Sequence, residues 1–345
     1  MIDRIIQDQE IKAAKELIDA SSDIVVIAHT SPDGDAIGSV LGMWHWLKIM
    51  GKNARMVMPD ELPSGFEWMP DVEKILIHRL QNEEGDKLIS EADLIICLDL
   101  NEPKRLGSAQ QAFLNSKAKR LLVDHHLYPA DSWDVCVSYP DMSSACEVLY
   151  RLIYQMDAED KIDAVTASCI YTGLMTDTGN FSYSSNDVEL YYIIAALMKK
   201  GIDKEQIYRN VFNNAKESQL RLRGHLLKDN MMLYPESHAA IITLTEKEKI
   251  EYSYQKGDTE GVVNEPMRIK GIDVSVFISQ DKGKVKISLR STGDIPVNKV
   301  ATKYFGGGGH KNAAGGEVYY ISIEQVRKKV EQVLPEIWAG RGSSE

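Results

Sequence analysis

Three times in the first 130 residues a short apolar run hands over directly to a polar, metal-ligating residue type. Residues 24–28 (IVVIA) lead to His29, residues 94–98 (LIICL) to Asp99, and residues 121–123 (LLV) to Asp124, His125 and His126. Apolar runs without alternation are what strands buried on both faces require. Residues 55–58 and 74–78 read as two further strands, and helical patterns at 36–50 and 143–156 lie between such runs. Strand and helix alternating at this rhythm predict an α/β domain on a doubly wound parallel sheet, spanning residues 1–186. Ligands of such sheets gather at the carboxyl ends of the strands, where these polar residues fall.

Beyond residue 186 the pattern changes. Residues 187–228 are helical throughout and read as a connector. Residues 229–345 read as a smaller α/β domain with a mixed sheet. Its expected strands are 238–243, 273–280, 284–290 and 317–321, and a closing helix at 322–334 stops before Pro335. The last seven residues, AGRGSSE, are expected to be disordered. A chain of 345 residues, 43% hydrophobic and 26% charged, is long and apolar enough for two cored domains. The formal charge of −11 argues against a basic face that coats long duplex nucleic acid. The N-terminal segment has no signal-like apolar core, and the longest apolar run, residues 190–198, is far short of the ~20 residues of a membrane helix. Cys97, Cys136, Cys146 and Cys169 have no paired spacing and read as buried thiols of a reducing, cytoplasmic setting.

The chemistry is concentrated at strand ends. His29, Asp33 and Asp35 share one short Pro/Gly turn and suit divalent metal ligation, although an Asp-rich turn equally suits capping of the following helix. Asp99 alone would be read as a cap. At 124–126 one imidazole can ligate while a carboxylate orients it and the other acts as an acid. Asp177 closes a helical segment before Gly179. Taken together, these residues predict a dinuclear site in which carboxylates outnumber histidines, as a hard-cation site requires, while the two histidines shift the choice towards Mn²⁺ over Mg²⁺. A separate tract, residues 306–316 (GGGGHKNAAGG), exposes backbone N–H groups and, with a helix start after it, would suit an anion; Arg290 could add a bidentate phosphate contact. Ser144 and Glu147 match a capping box. His45, His78, His225 and His238 read as packing residues without clustered partners, and Lys282, Lys284 and Lys286 as a solvated strand face.

These five motifs, in this order, resemble the DHH phosphoesterases that carry a type 1 DHH-associated C-terminal domain. His29–Asp35, Asp99, Asp124-His125-His126 and Asp177 match the four N-terminal motifs, and residues 306–316 match the C-terminal signature. That glycine signature separates the chain from the pyrophosphatase and exopolyphosphatase branch. Its length is closer to the nanoRNase and pAp-phosphatase group than to the larger RecJ-like exonucleases. The resemblance implies that His29 and Asp33 hold one metal, that Asp35, His125 and Asp177 hold the other, and that Asp99 bridges them. Mn²⁺ is the implied cofactor, with Mg²⁺ or Co²⁺ as alternatives. His126 would contact the scissile phosphate or protonate the leaving oxygen, backed by Asp124. Arg290, Ser291 and the loop Gly308, Gly309 and His310 would grip the substrate.

The implied substrates are short RNA or DNA single strands and nucleotide bisphosphates such as 3′-phosphoadenosine 5′-phosphate (pAp), held as two domains close. Cyclic di-AMP or linear pApA phosphodiesterase activity is the alternative, and a homodimer is compatible with the family. A catalytically dead regulator is disfavoured because all six ligands are present. Within residues 261–316, nine Lys and Arg stand against four Asp and Glu, so the acidic total conceals a locally basic segment.

Overall fold

The computed structural model describes residues 2–339, and the chain forms two compact units, Met1–Asn214 and Ala215–Glu345. The first unit begins with α1 (Asp8–Ala20), β1 (Asp23–Ile27), α2 (Gly34–Ile49), β2 (Asn53–Met58), β3 (Leu76–Ile77) and α3 (Asn82–Glu91). It continues with β4 (Leu94–Leu98), α4 (Gln110–Asn115), β5 (Lys119–Asp124) and β6 (Val135–Ser138). Helices α5 (Ala145–Gln155), α6 (Ala164–Asp177), α7 (Val188–Lys199) and α8 (Lys204–Phe212) complete it.

All six strands are parallel, in the order β3-β2-β1-β4-β5-β6. Chain direction through the sheet reverses between β1 and β4, where Ile27 lies in register with Cys97. Such a reversal opens a crevice at the strands' carboxyl ends. Both faces of the sheet are covered. Ile24, Val26, Ile96 and Leu121 point into a core with α2, α5 and α6, while Val25, Ile27, Ile95 and Leu122 point into another with Phe113. That accounts for the unbroken apolar runs: each such side chain contributes about 1.5–3 kcal/mol on burial, on either face.

Helices α2 and α6 approach closely because α2 carries glycine every fourth residue. A Cβ on Gly38 would sit 2.6 Å from the Cys169 carbonyl oxygen, and one on Gly34 would sit 2.4 Å from Thr176 Oγ1. These glycines serve helix contact. The strand expected at 74–78 is shorter than anticipated: residues Val72–Lys74 form a 3₁₀ turn, and only Leu76–Ile77 pairs.

The second unit contains α9 (Glu217–Lys228), β7 (Met231–Tyr234), β8 (Ala239–Leu244), α10 (Glu246–Glu251), β9 (Val274–Asp281) and β10 (Lys284–Ser291). It ends with α11 (Val297–Phe305), β11 (Gly308–His310), β12 (Ala313–Tyr319) and α12 (Ile323–Ala339). The sheet order is β11-β12-β10-β9-β8-β7, and it is mixed because β8 and β9 run parallel while the other neighbours are antiparallel. Of the helical stretch at 187–228, α7 and α8 fall in the first unit and α9 in the second.

Two local expectations change in this unit. The final strand starts at Ala313, not at residue 317, because its Gly315-Gly316 pair lies within the ladder to β10. Helix α12 runs through Pro335. Proline removes one backbone donor, but burial of Leu334 and Ile337 against the second core carries the helix onward. Residues after Ala339, most of the AGRGSSE tail, lie outside the described residues. No helix among the described residues is long and apolar enough to cross a membrane.

Candidate dinuclear metal centre

The loop after β1 is fixed from both sides. His29 is buried, and the next residue, Thr30, donates its N–H to the Arg105 carbonyl at 2.8 Å. Asp33 is the N-cap of α2, with Oδ1 accepting from the N–H groups of Asp35 (3.1 Å) and Ala36 (3.0 Å). The capping role coexists with a place beside His29 and Asp99, since an Asp33 carboxylate oxygen lies within 4.8 Å of ligand atoms of both. Asp35 is almost wholly buried and accepts from the Ala145 N–H at 2.6 Å and the Cys146 N–H at 3.0 Å. It thus sits on the positive end of α5, which favours its carboxylate. That end is itself well built: Ser144 Oγ accepts from the Glu147 N–H, while Glu147 Oε2 accepts from Ser143 N–H and Oγ. The expected capping box is thus displaced by one residue, its return bond reaching Ser143.

Asp99, immediately after β4, has a left-handed backbone (φ 58°), a conformation that costs a non-glycine residue about 1–2 kcal/mol and recurs at functional sites. Its two oxygens are divided: Oδ2 is 3.1 Å from His29 Nε2, and Oδ1 is 3.6 Å from His125 Nε2 and 3.5 Å from His126 Nδ1. Asp177, the last residue of α6, brings Oδ2 to 3.6 Å from His125 Nε2. His125 Nδ1 faces the Met142 carbonyl at 3.2 Å, which leaves Nε2 for the site. Asp124, fully buried at the end of β5, takes His126 Nδ1 at 2.8 Å and the His126 N–H at 3.1 Å.

The predicted ligand residues thus come together in two groups, His29 with Asp33 and Asp99, and Asp35 with His125 and Asp177. Within each group ligand atoms lie within 4.8 Å of one another. Asp99, Asp124 and His126 form a third such group. The electrostatics fit cations. Burial, followed by the Asp99 charge, pushes the Asp35 carboxyl up to about 7, and burial likewise drives Asp177 well above the ordinary range. Burial also opposes ionisation of Asp99, but contacts from His125 and His29 outweigh it and hold that carboxyl well below its usual value. Burial opposes protonation of His125 too, yet the Asp99 contact and the Asp177 and Asp35 charges raise it well above the ordinary imidazole value. Crowded, desolvated carboxylates with imidazoles among them are a donor set that divalent cations satisfy.

One residue of this site was not evident from sequence. Arg105 Nη1 lies 2.9 Å from His126 Nε2, opposite Asp124. It sits on a 3₁₀ segment, Pro103–Ala109, whose Gly107 has φ 50°. A basic residue two positions before a glycine, closely following a strand-end aspartate, is the only signal that marks it.

In the second unit the glycine tract is not followed by a helix, as the sequence suggested. It follows α11, with Gly306 (φ 60°) capping that helix, and then forms the edge strand β11. Most of its glycines answer to space. A Cβ on Gly307 would lie 1.8 Å from the Gly315 carbonyl oxygen, and one on Gly316 would lie 2.5 Å from that of Phe305. Gly308 is exposed with open space around it. A cavity of about 520 Å³ is lined here by Lys286, Ser288, Gly307, Gly315, Gly316 and neighbours. Arg290 is half-buried and donates to the Leu289 carbonyl at 3.0 Å. Ser291 is committed to structure: its Oγ donates to the Ile295 carbonyl at 2.6 Å and accepts from Asn312 Nδ2 at 2.9 Å.

Of the histidines read as packing residues, His45 packs edge-on against Trp44 and faces the Pro70 carbonyl. His78 and His225 do have partners: His78 bonds Ser108 at 3.1 Å and Asp86 at 2.9 Å, and His225 bonds Asp229 and Glu248, both at 2.9 Å. Lys284 and Lys286 face Glu317 on the neighbouring strand, whereas Lys282 falls in the turn between β9 and β10.

Comparison with known proteins agrees with this fold. A crystal structure of an exopolyphosphatase-related protein from Bacteroides fragilis superposes with TM-score 0.93 at 42% identity, covering 97% of this chain and 98% of that one. The bifunctional oligoribonuclease and PAP phosphatase NrnA of Thermus thermophilus is 27% identical over 91% of this chain and 89% of its own. The cyclic-di-AMP phosphodiesterase PdeA of Listeria monocytogenes is 26% identical over 95% of this chain but 50% of its own. Residues 23–174 match the DHH family N-terminal domain and residues 239–336 the DHHA1 domain. The chain belongs to the DHH family.

Proposed function

We propose that the protein is a metal-dependent phosphoesterase that hydrolyses short RNA oligonucleotides to mononucleotides and pAp to AMP, with Mn²⁺ as its cation. The observation that carries this reading is the division of the Asp99 carboxylate between the His29 group and the His125 group. His29, Asp33 and Asp99 would hold one cation, and Asp35, His125, Asp177 and Asp99 the other. Divalent cations bound there supply Lewis acidity, which acidifies water and offsets charge on the phosphoryl oxygens.

The protein's own residues do the rest. Asp124 holds His126 through two hydrogen bonds, so the imidazole stays aimed at the reacting group. As the water oxygen bonds to phosphorus and the P–O bond to the leaving group breaks, water loses one proton and the leaving oxygen takes one up. His126 Nε2 is the atom that handles the proton at the leaving oxygen. Arg290 and the His310 loop of the second unit would hold the substrate's far phosphate or nucleoside, with Gly308 and Gly309 offering backbone N–H groups. The similarity to NrnA over most of both chains supports the substrate class. The similarity to PdeA supports a second reading, hydrolysis of cyclic di-AMP or pApA at the same centre.

The deciding experiment is a turnover panel with Mn²⁺, Mg²⁺ and Co²⁺ against pAp, two- to five-nucleotide RNAs, pApA and cyclic di-AMP. Preferred turnover of pAp and the short RNAs with Mn²⁺ is expected. Preference for the dinucleotides selects the second reading, and no turnover of any of them rejects both.

A further inference from the structure

Among the strand-end loops of the first unit, one cationic side chain enters the site without a carboxylate to meet it. Arg105 is half-buried, and among the described residues its guanidinium forms no ion pair, although Asp33, Asp35, Asp99, Asp124 and Asp177 all lie in the neighbouring cluster. Its side-chain hydrogen bond goes instead to an imidazole nitrogen, His126 Nε2, at 2.9 Å. Guanidinium has only donors, so Nε2 must accept, and the remaining N–H groups of the fork are left for another acceptor. The backbone under this side chain is firmly placed. The Arg105 carbonyl takes the Thr30 N–H at 2.8 Å, and a Cβ on Gly107 would lie 2.3 Å from Thr30 Cγ2. Arg105 therefore projects from the same locked loop pair that presents His29, towards the imidazole that Asp124 orients.

A planar fork of donors, rigidly based, held on an imidazole nitrogen and unpaired with carboxylate, is matched by an anion with two or more oxygens. We infer that Arg105 is a catalytic residue that binds a non-bridging oxygen of the phosphoryl group under attack, its guanidinium passing from His126 Nε2 to that oxygen when substrate arrives. The inference rests on the phosphoesterase reading and extends it to a residue outside the ligand set and outside Asp124-His125-His126. Arg105 then has two effects. It offsets charge that grows on the phosphoryl oxygens as the P–O bond to the leaving group breaks. By leaving Nε2, it also frees that nitrogen to take the proton that the attacking water loses and to pass it to the leaving oxygen.

The test compares wild type, Arg105→Met and Arg105→Lys, each loaded with Mn²⁺. Two measurements are made: binding of inorganic phosphate by calorimetry, and kcat and KM for pAp. The expected result is that Arg105→Met binds Mn²⁺ as wild type does, binds inorganic phosphate at least tenfold more weakly, and loses about 10²–10³-fold in kcat. Arg105→Lys should recover phosphate binding more than turnover, since a point charge replaces a fork. Undiminished phosphate affinity in Arg105→Met, whatever happens to kcat, overturns the inference and leaves Arg105 a support for His126. If wild type turns over none of the panel substrates, the phosphoesterase reading falls, and the phosphate arm still decides whether Arg105 meets the anion. Wild type that binds no inorganic phosphate overturns the inference as well.

Discussion

The carboxylate of Asp35 accepts the backbone N–H of Ala145 at 2.6 Å, tying a candidate ligand on α2 to the first turn of α5. Space around this bond is closed by Gly173 on α6, where a Cβ would lie 2.7 Å from Asp35 Oδ1 and 2.2 Å from Cys146 Sγ. Gly173→Ala is therefore expected to push Asp35 off its helix end and weaken Mn²⁺ binding by about 10–100-fold, with circular dichroism unchanged. Gly224→Ala, in open space on α9, is the control and should leave Mn²⁺ binding as it is. Equal calorimetric affinities for Gly173→Ala and wild type would exclude the steric link.

Asp99→Asn tests the division of one carboxylate between two groups. Asparagine tolerates the left-handed backbone at this position, so the fold should persist. Loss of the charge is expected to reduce bound Mn²⁺ from two per chain and to lower pAp turnover by at least about a hundredfold. Two tightly held ions per chain in this variant would contradict the bridging role.

Metal binding should release protons. Burial opposes protonation of His29 and His125, but the Asp99 contact and neighbouring carboxylate charges raise both above their ordinary values, while burial and carboxylate neighbours raise Asp35 and Asp177 far above theirs, so several of these groups carry protons near neutral pH. Cations bind the deprotonated forms. Apparent Mn²⁺ affinity should accordingly rise between about pH 6 and 8, and calorimetry in buffers of different ionisation enthalpy should detect the released protons. A flat affinity over that range would refute this.

Behind the site, Arg151 and Glu147 form a buried ion pair at 2.8 Å, with Glu147 also fastening Ser143. Arg151→Met strands the carboxylate and should cost about 3–5 kcal/mol in urea unfolding. Adding Glu147→Gln should recover part of that loss, because the desolvated charge goes with it.

In the second unit His225 is clasped by Glu248 and Asp229. The Glu248 bond raises its pKa, burial opposes the rise, and the Asp229 bond adds to it, while Glu248 itself is held down to about 2. A histidine raised in the folded state stabilises fully below its unfolded value and ceases to do so as pH climbs through its folded value. The melting-temperature advantage of wild type over His225→Gln should therefore be larger at about pH 6 than at about pH 9. The reverse order would show that the clasp is not ionic.

How much of this was legible in sequence follows from the range of each interaction. Strand ends are written locally: an apolar run buried on both faces stops where the crevice begins, so His29, Asp99 and Asp124 could be placed without a structure, and Asp177 could be placed from the end of its helical segment before Gly179. Arg105 could not, because its link to His126 depends on the Thr30–Arg105 backbone bond between separate loops. The glycines at 34 and 38 were visible, but their purpose depends on α6, some 130 residues away in the chain. Pro335 misled for a similar reason, since the packing of Leu334 and Ile337 outweighs a local preference. His225 looked solitary because Glu248 reaches it from another element.

The crowding around the second unit's glycine tract determines how mutations there must be interpreted. An alanine at Gly307, Gly309 or Gly316 collides with backbone, so such a variant would be lost to misfolding or proteolysis before it could report on recognition. In a scanning library these positions would score as essential whatever they touch. Gly308, with nothing within reach of an added methyl, is the position in that run where a substitution speaks about a bound molecule rather than about the fold.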